Sequence, residues 1–228
     1  MKRRRFYQLR NTSMLFAILV FFTQVCAAQA YRYINMEDGL GSQKVYRILQ
    51  DSLGYMWFLT QEGPDRYNGK EIKHYELTDK GQKLNMQFNL NWLYMAGDGA
   101  LWGIGRKGRI FRYEPGRDRF EQVYMPSQPE KGIASPNITY SYMDRSGRIW
   151  LCSKERITLF DTHTEKAFPL PCDIISNITS IEQMDGMNFF IGTESGLYQA
   201  ILDEQHMSLT CKSAYNLHIP VSELFFSG

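Results

Sequence analysis

Short apolar runs separated by polar turns recur along the chain from residue 45 onward. Val45-Tyr46-Arg47-Ile48-Leu49-Gln50 leads into the turn Asp51-Ser52-Leu53-Gly54, and residues 55–60 form a second run that is aromatic and apolar. Asp51 and Ser52 are suited to hydrogen-bond their own turn backbone, and Gly54 supplies the positive φ that a tight turn often needs. The same unit returns at residues 90–105, at residues 138–153 and, as a weaker copy, at residues 178–193. In every copy a glycine stands three residues before an aromatic side chain: Gly54 and Trp57, Gly99 and Trp102, Gly147 and Trp150, Gly186 and Phe189. The aromatic positions are 45, 48 and 39 residues apart. A period of about 40–45 residues is that of a four-stranded β-propeller blade.

The remaining turns fill in each blade. Gly63, Gly108 and Gly196 open the second turn of copies one, two and four, whereas Lys154-Glu155-Arg156 replaces that glycine in copy three. Asn68-Gly69 is the strongest hairpin signal in the chain. Residues 78–87 read as a polar connection, and no window after residue 30 has apolar residues at helical period with caps. The expected fold is therefore all-β: a propeller of four-stranded antiparallel blades at about 45–76, 90–124, 138–170 and 178–211. Residues 221–226 are the expected first strand of a fifth blade, and the ring is expected to be incomplete. The anchors of this architecture are Asp51, Gly54, Trp57 and Gly63, then Gly99, Trp102 and Gly108. Asp144, Gly147 and Trp150 serve the third copy, and Gly186, Phe189 and Gly196 the fourth.

Residues 1–30 do not fit this pattern. Lys2, Arg3, Arg4, Arg5 and Arg10 precede an apolar stretch at 14–25, and Ala28-Gln29-Ala30 is a small-x-small site. The segment reads as a cleavable secretory signal peptide ending at Ala28 or Ala30, with an uncleaved anchor as the alternative. It holds five basic residues and no acidic ones, so its removal turns the formal charge of +2 into −3 over residues 31–228. The basicity belongs to the leader and gives no case for nucleic-acid binding. Cys152, Cys172 and Cys211 follow the leader. They lack metal-ligand spacing, and an odd count leaves at least one thiol, with Cys152 expected as a buried one.

The run Asp38-Gly39-Leu40, residues 45–51, Gly54-x-x-Trp57, Thr60-x-x-Gly63 and Arg66-Tyr67-Asn68-Gly69 together resemble the two-component regulator propeller repeat. The resemblance covers most of residues 31–228 as four repeats and a stub. It implies a periplasmic propeller like those at the N-terminus of bacterial hybrid two-component sensors. There the propellers precede a β-sandwich, a membrane helix and kinase parts, and the sensors commonly respond to oligosaccharides. The expectation is a signal-transduction module similar to the front of such a sensor, truncated or split from it, with no kinase segment and no enzyme activity of its own. An oligosaccharide is the implied ligand, and open blade faces predict self-association. Membrane contact is expected only through the leader or through downstream segments. The alternatives are a secreted interaction scaffold, a nonfunctional receptor fragment, and a propeller lyase or glycosidase.

The residues themselves single out no catalytic group, ligand-binding residue, metal site or cofactor. Asp51, Asp98, Asp144 and Asp185 fall in repeated turns on separate blades, whereas a glycosidase needs two carboxylates at one bond. His74, His163, His206 and His218 are scattered in outer strands and loops. Trp92 and Tyr140 fall on first strands of their blades, where an aromatic ring would be available to a sugar.

Overall fold

The computed structural model describes residues 32–84, 90–126, 137–154, 156–172, 177–215 and 221. The expected signal peptide lies outside these residues, as does the expected fifth-blade strand except for Val221. Residues 32–34 have no regular secondary structure, and the chain from Asn35 onward forms a unit of its own. It opens with a 3-10 turn at Met36–Asp38, ahead of the first apolar run. Asn35 caps this turn by accepting from the Glu37 and Asp38 amides, and Asp38 accepts from the Asn35 amide in return.

Four sheets follow. β1 (Val45–Gln50), β2 (Met56–Thr60), β3 (Gly63–Tyr67) and β4 (Ile72–His74) pair in that order to form blade one. Blade three is β11 (Tyr140–Met143), β12 (Arg148–Cys152), β13 (Ile157–Asp161) and β14 (Lys166–Leu170). Blade four is β15 (Ile178–Asp185), β16 (Asn188–Thr193), β17 (Gly196–Asp203) and β18 (Ser208–Tyr215). Each of these is an antiparallel meander of the kind that a propeller blade requires.

Blade two differs from the four-stranded expectation. Its meander β7 (Leu90–Met95), β8 (Leu101–Gly105), β9 (Ile110–Glu114) and β10 (Arg119–Tyr124) is extended by β5 (Leu77–Asp79) and β6 (Gln82–Lys83). β5 lies parallel to β10, with Phe120 opposite Leu77. Tyr75 and Leu77 explain the extension. Both are buried beside Trp57 and Phe120, so the chain leaves blade one already anchored against the outer strand of blade two. The Thr78 hydroxyl then donates to the Phe120 carbonyl at 2.6 Å. Residues 78–83 of that polar connection form the exposed edge hairpin, where side chains need not be apolar.

The core lies between blades. Trp57, Leu59 and Tyr75 of blade one pack against Leu90, Leu93, Leu101 and Phe111 of blade two. Tyr94, Trp102 and Ile104 of blade two pack against Ile149, Leu151 and Phe160 of blade three. Trp150, Cys152 and Leu159 of blade three pack against Ile181, Phe189, Ile191 and Ala200 of blade four. Alternation along a strand sends neighbouring residues to opposite faces, so Leu93 meets the preceding blade and Tyr94 the following one.

Strand register corrects one anchor. Trp57, Trp102 and Trp150 stand opposite Leu49, Tyr94 and Tyr142 of their first strands. In blade four the residue in that place is Phe190, opposite Glu182, while Phe189 lies opposite Gln183. Phe189 accordingly faces back to Trp150, with ring centroids 4.7 Å apart. The cause is a shorter first turn. Asp185 and Asn188 pair across Gly186-Met187, so spacing measured from the glycine lands one residue early.

Candidate functional site

The sequence anchors build the frame around the site. In blade one the Asp51 carboxylate accepts from the amides of Leu53 and Tyr55 through Oδ1, and from the Trp57 indole N–H through Oδ2 at 2.8 Å. Asp144 repeats this in blade three. Its Oδ1 accepts from the Ser146 and Arg148 amides, and its Oδ2 accepts from Trp150 Nε1 at 3.1 Å and Arg148 Nε at 2.7 Å. The aspartate six residues before tryptophan thus locks the turn and satisfies a buried indole in one step. Gly54, Gly99 and Gly147 hold φ of 84°, 83° and 76° in these turns, a left-handed conformation costly for residues with a Cβ.

Blade two has no such lock. Ala96 occupies the aspartate position, Asp98 caps only the Ala100 amide, and the buried Trp102 Nε1 has no hydrogen-bond partner among the described residues. In blade four Gln183 donates to the Gly186 carbonyl and accepts from the Arg145 amide, so it joins blades three and four. The second turns share another lock. Thr60, Ser153 and Thr193 hydroxyls donate to the carbonyls of Gly63, Arg156 and Gly196 at 2.9, 3.0 and 2.9 Å. Ser153 therefore closes the turn that lacks a glycine. Gly108 sits in the corresponding turn of blade two, bonded to the Gly105 carbonyl. None of these anchors converges with another on a common centre.

The first strands do converge. β1, β7, β11 and β15 together line an open cavity of about 990 Å³. Its wall includes the rings of Trp92, Tyr94, Tyr140 and Tyr142 and the charged side chains of Arg47 and Glu182. A register shift recurs at the start of β1, β7 and β15, immediately before or at Arg47, Trp92 and Ser180. Such bulges re-aim side chains at the rims of closed sheets.

Hydrogen bonds between blades hold this wall. Tyr94 Oη donates to the Ser141 carbonyl at 2.5 Å. The amides of Ile181 and Gln183 donate to the hydroxyls of Tyr140 and Tyr142 at 3.3 and 3.2 Å. Burial raises the pKa of all three tyrosines, so their hydroxyls stay neutral. The Arg47 guanidinium lies 5.4 Å from the centre of the Tyr94 ring. Asp144 also borders the cavity, but Arg148 and Trp150 occupy its Oδ2. Glu182 is the other carboxylate, half-buried. Fixed aromatic rings, a guanidinium and a carboxylate are the groups that hold a polar ligand with flat apolar faces. Arg47, Tyr142 and Glu182 escaped the sequence reading, although each lies at an alternate position of a first apolar run.

The histidines stand elsewhere. His74 is on β4, and His163 and His206 are in hairpin turns beside Asp161 and Asp203; His218 lies outside the described residues. His74 Nδ1 is 2.6 Å from the buried Asp65 carboxylate, whose other oxygen accepts from the Gly41 amide at 2.7 Å. Among the described residues, no three His, Cys, Asp or Glu side chains gather in a metal-binding arrangement.

Residues 39–62, the first repeat, match the family model of the two component regulator propeller. The fold is similar to that of an extracellular domain assigned to the hybrid two component system BT3049 from B. thetaiotaomicron, with a TM-score of 0.58 and 21% identity. That match covers 81% of this chain and 27% of the other. Virginiamycin B lyase from Staphylococcus aureus is similar at a TM-score of 0.57 and 12% identity, over 77% of this chain and 57% of the lyase. PorZ, a component of the type-IX secretion system of Porphyromonas gingivalis, is similar at a TM-score of 0.53 and 12% identity, over 76% of this chain and 23% of PorZ. The chain thus spans about a quarter of the sensor domain and rather over half of the lyase. These likenesses establish the β-propeller fold. No curated protein matches the chain.

Proposed function

We propose that this chain is the periplasmic, ligand-sensing propeller module of a hybrid two-component sensor, exported by residues 1–30, and that it takes an oligosaccharide in the cavity at its first strands. The cavity carries the reading. Trp92, Tyr94, Tyr140 and Tyr142 offer ring surface, and Arg47 and Glu182 offer charged hydrogen-bonding groups. The family match of the first repeat, and a fold shared with a sensor's extracellular domain, support the sensor assignment. Ligand contacts on four inner strands would bias the packing of one blade on the next, which is the differential interaction that a conformational signal requires.

A thermal-shift screen of residues 31–228 against neutral and acidic oligosaccharides tests the reading. One class should raise the melting temperature, and Arg47→Ala should reduce that shift. No shift with any member would contradict it. Cleavage of a glycan by the purified chain would favour the enzyme reading that the lyase-like fold suggests.

A second reading concerns self-association. Ile48 of β1 is 57% exposed, while Leu93, Ser141 and Ile181, at the same register of the later blades, are 0%, 2% and 3% exposed. In blades two to four the preceding blade covers this position. We propose that another blade of the same kind covers Ile48. Light scattering on residues 31–228 should then show oligomers that Ile48→Lys dissolves, and a sharp monomer peak would contradict the proposal.

A further inference from the structure

Cys172 and Cys211 meet at the outer edge of the seam between blades three and four. Cys172 follows the outer strand of blade three, and Cys211 lies on the outer strand of blade four. Their sulfurs are 3.4 Å apart, and both side chains are half-buried. The two segments are already tied, because the Leu209 amide donates to the Pro171 carbonyl at 3.4 Å. Leu209 and Leu170 pack in the same apolar cluster, which fixes the backbone on either side of the pair. Sulfurs 3.4 Å apart on two tied segments stand close to the ~2.05 Å separation of a disulfide.

We infer that Cys172 and Cys211, 39 residues apart in sequence, form a disulfide in the exported protein, a covalent staple between two adjacent blades. Oxidation proceeds by exchange with a disulfide-bearing oxidant. The thiolate of one cysteine attacks a sulfur of the oxidant, forming a mixed disulfide and releasing the first oxidant thiol. The thiolate of the other cysteine then displaces the second oxidant thiol. Two electrons and two protons leave the protein, and the oxidant disulfide departs as two thiols.

The third thiol is set apart. Cys152 is fully buried on β12, and burial pushes its pKa well up, with Cys172 nearby adding to the shift. A neutral, inaccessible thiol is a poor nucleophile. The odd cysteine count is thus divided into one surface pair and one core thiol.

The proposal rests on export of the chain, so two measurements separate its parts. First, residues 31–228 are purified reduced, incubated with oxidised glutathione, and digested without reductant for mass spectrometry. A linked Cys172–Cys211 peptide, two hydrogens lighter than its reduced halves, is expected. The oxidised form should melt about 5–10 °C higher than the reduced form, a gap absent in Cys172→Ser. Cys152→Ala should keep the link. Absence of the link, or a link through Cys152, would overturn the pairing. Second, the chain with its leader is expressed in bacteria and alkylated in whole cells before lysis. Protection of Cys172 and Cys211 supports the disulfide in vivo. Alkylation of both, in a chain that pairs when purified, overturns the disulfide in cells and counts against export rather than against the geometry.

Discussion

The first strands of blades one and two look alike in sequence and differ in burial. Both are six residues long and mostly apolar, yet β1 leaves Ile48 57% exposed and β7 leaves Leu93 0% exposed. Each stands opposite the second strand of its own sheet in the same register, Ile48 across from Phe58 and Leu93 across from Gly103. The neighbour makes the difference. Leu93 packs with Trp57 and Leu59 of blade one, whereas among the described residues no strand precedes blade one. A blade has no core of its own; it shares one with each blade beside it. Stability in such arrays is close to a sum of units and nearest-neighbour seams.

The largest test of this contrast is a pair of truncations. Leu93→Ala opens a fully enclosed seam and should cost about 2–5 kcal/mol in urea unfolding. At dilutions where the chain is monomeric, Ile48→Ala should cost less than about 0.5 kcal/mol. Equal losses at such dilution would mean that Ile48 is covered within one chain.

A smaller effect sharpens the comparison at the tryptophans. Trp57 and Trp102 are both buried, but only Trp57 has an aspartate on its indole N–H. Trp57→Phe should therefore cost about 1–3 kcal/mol more than Trp102→Phe, because it strands the Asp51 carboxylate oxygen. Denaturant midpoints measured on both variants check this.

The smallest effect comes from pH. The hydrogen bond to Asp65 raises the His74 pKa above 6.5, against a smaller opposing desolvation. A raised folded-state pKa stabilises fully below the unfolded value, and the contribution is lost as pH rises through the folded value. The His74 side chain is 40% exposed, so screening keeps the effect below about 1 kcal/mol. The melting temperature at about pH 5.5, less that at about pH 8.5, should be larger in the native chain than in His74→Gln.

Much of this fold is legible because its turns are chemically explicit. The glycines at 54, 99 and 147 are needed for left-handed backbone, and their spacing to tryptophan marks the blades. Three features were harder to read. Phe190 is hidden because the blade-four turn is shorter while its glycine keeps the spacing to Phe189. The β5–β6 hairpin is polar, and its cause lies in Tyr75 and Leu77, whose burial depends on a strand more than forty residues downstream. The cavity is the least legible part. Its walls come from four strands that are far apart in sequence; Trp92 and Tyr140 stand out on their strands, but nothing local links them to Arg47, Tyr142 and Glu182.

Tryptophan emission reports directly on a ligand held in the cavity at the first strands. Of the four tryptophans, Trp57, Trp102 and Trp150 are at most 2% exposed, while Trp92 lines the cavity and is half-buried. Titration of residues 31–228 with the oligosaccharide class that raises the melting temperature should change the emission, and Trp92→Phe should abolish the change. An unaltered response in Trp92→Phe would place the ligand elsewhere and contradict the account.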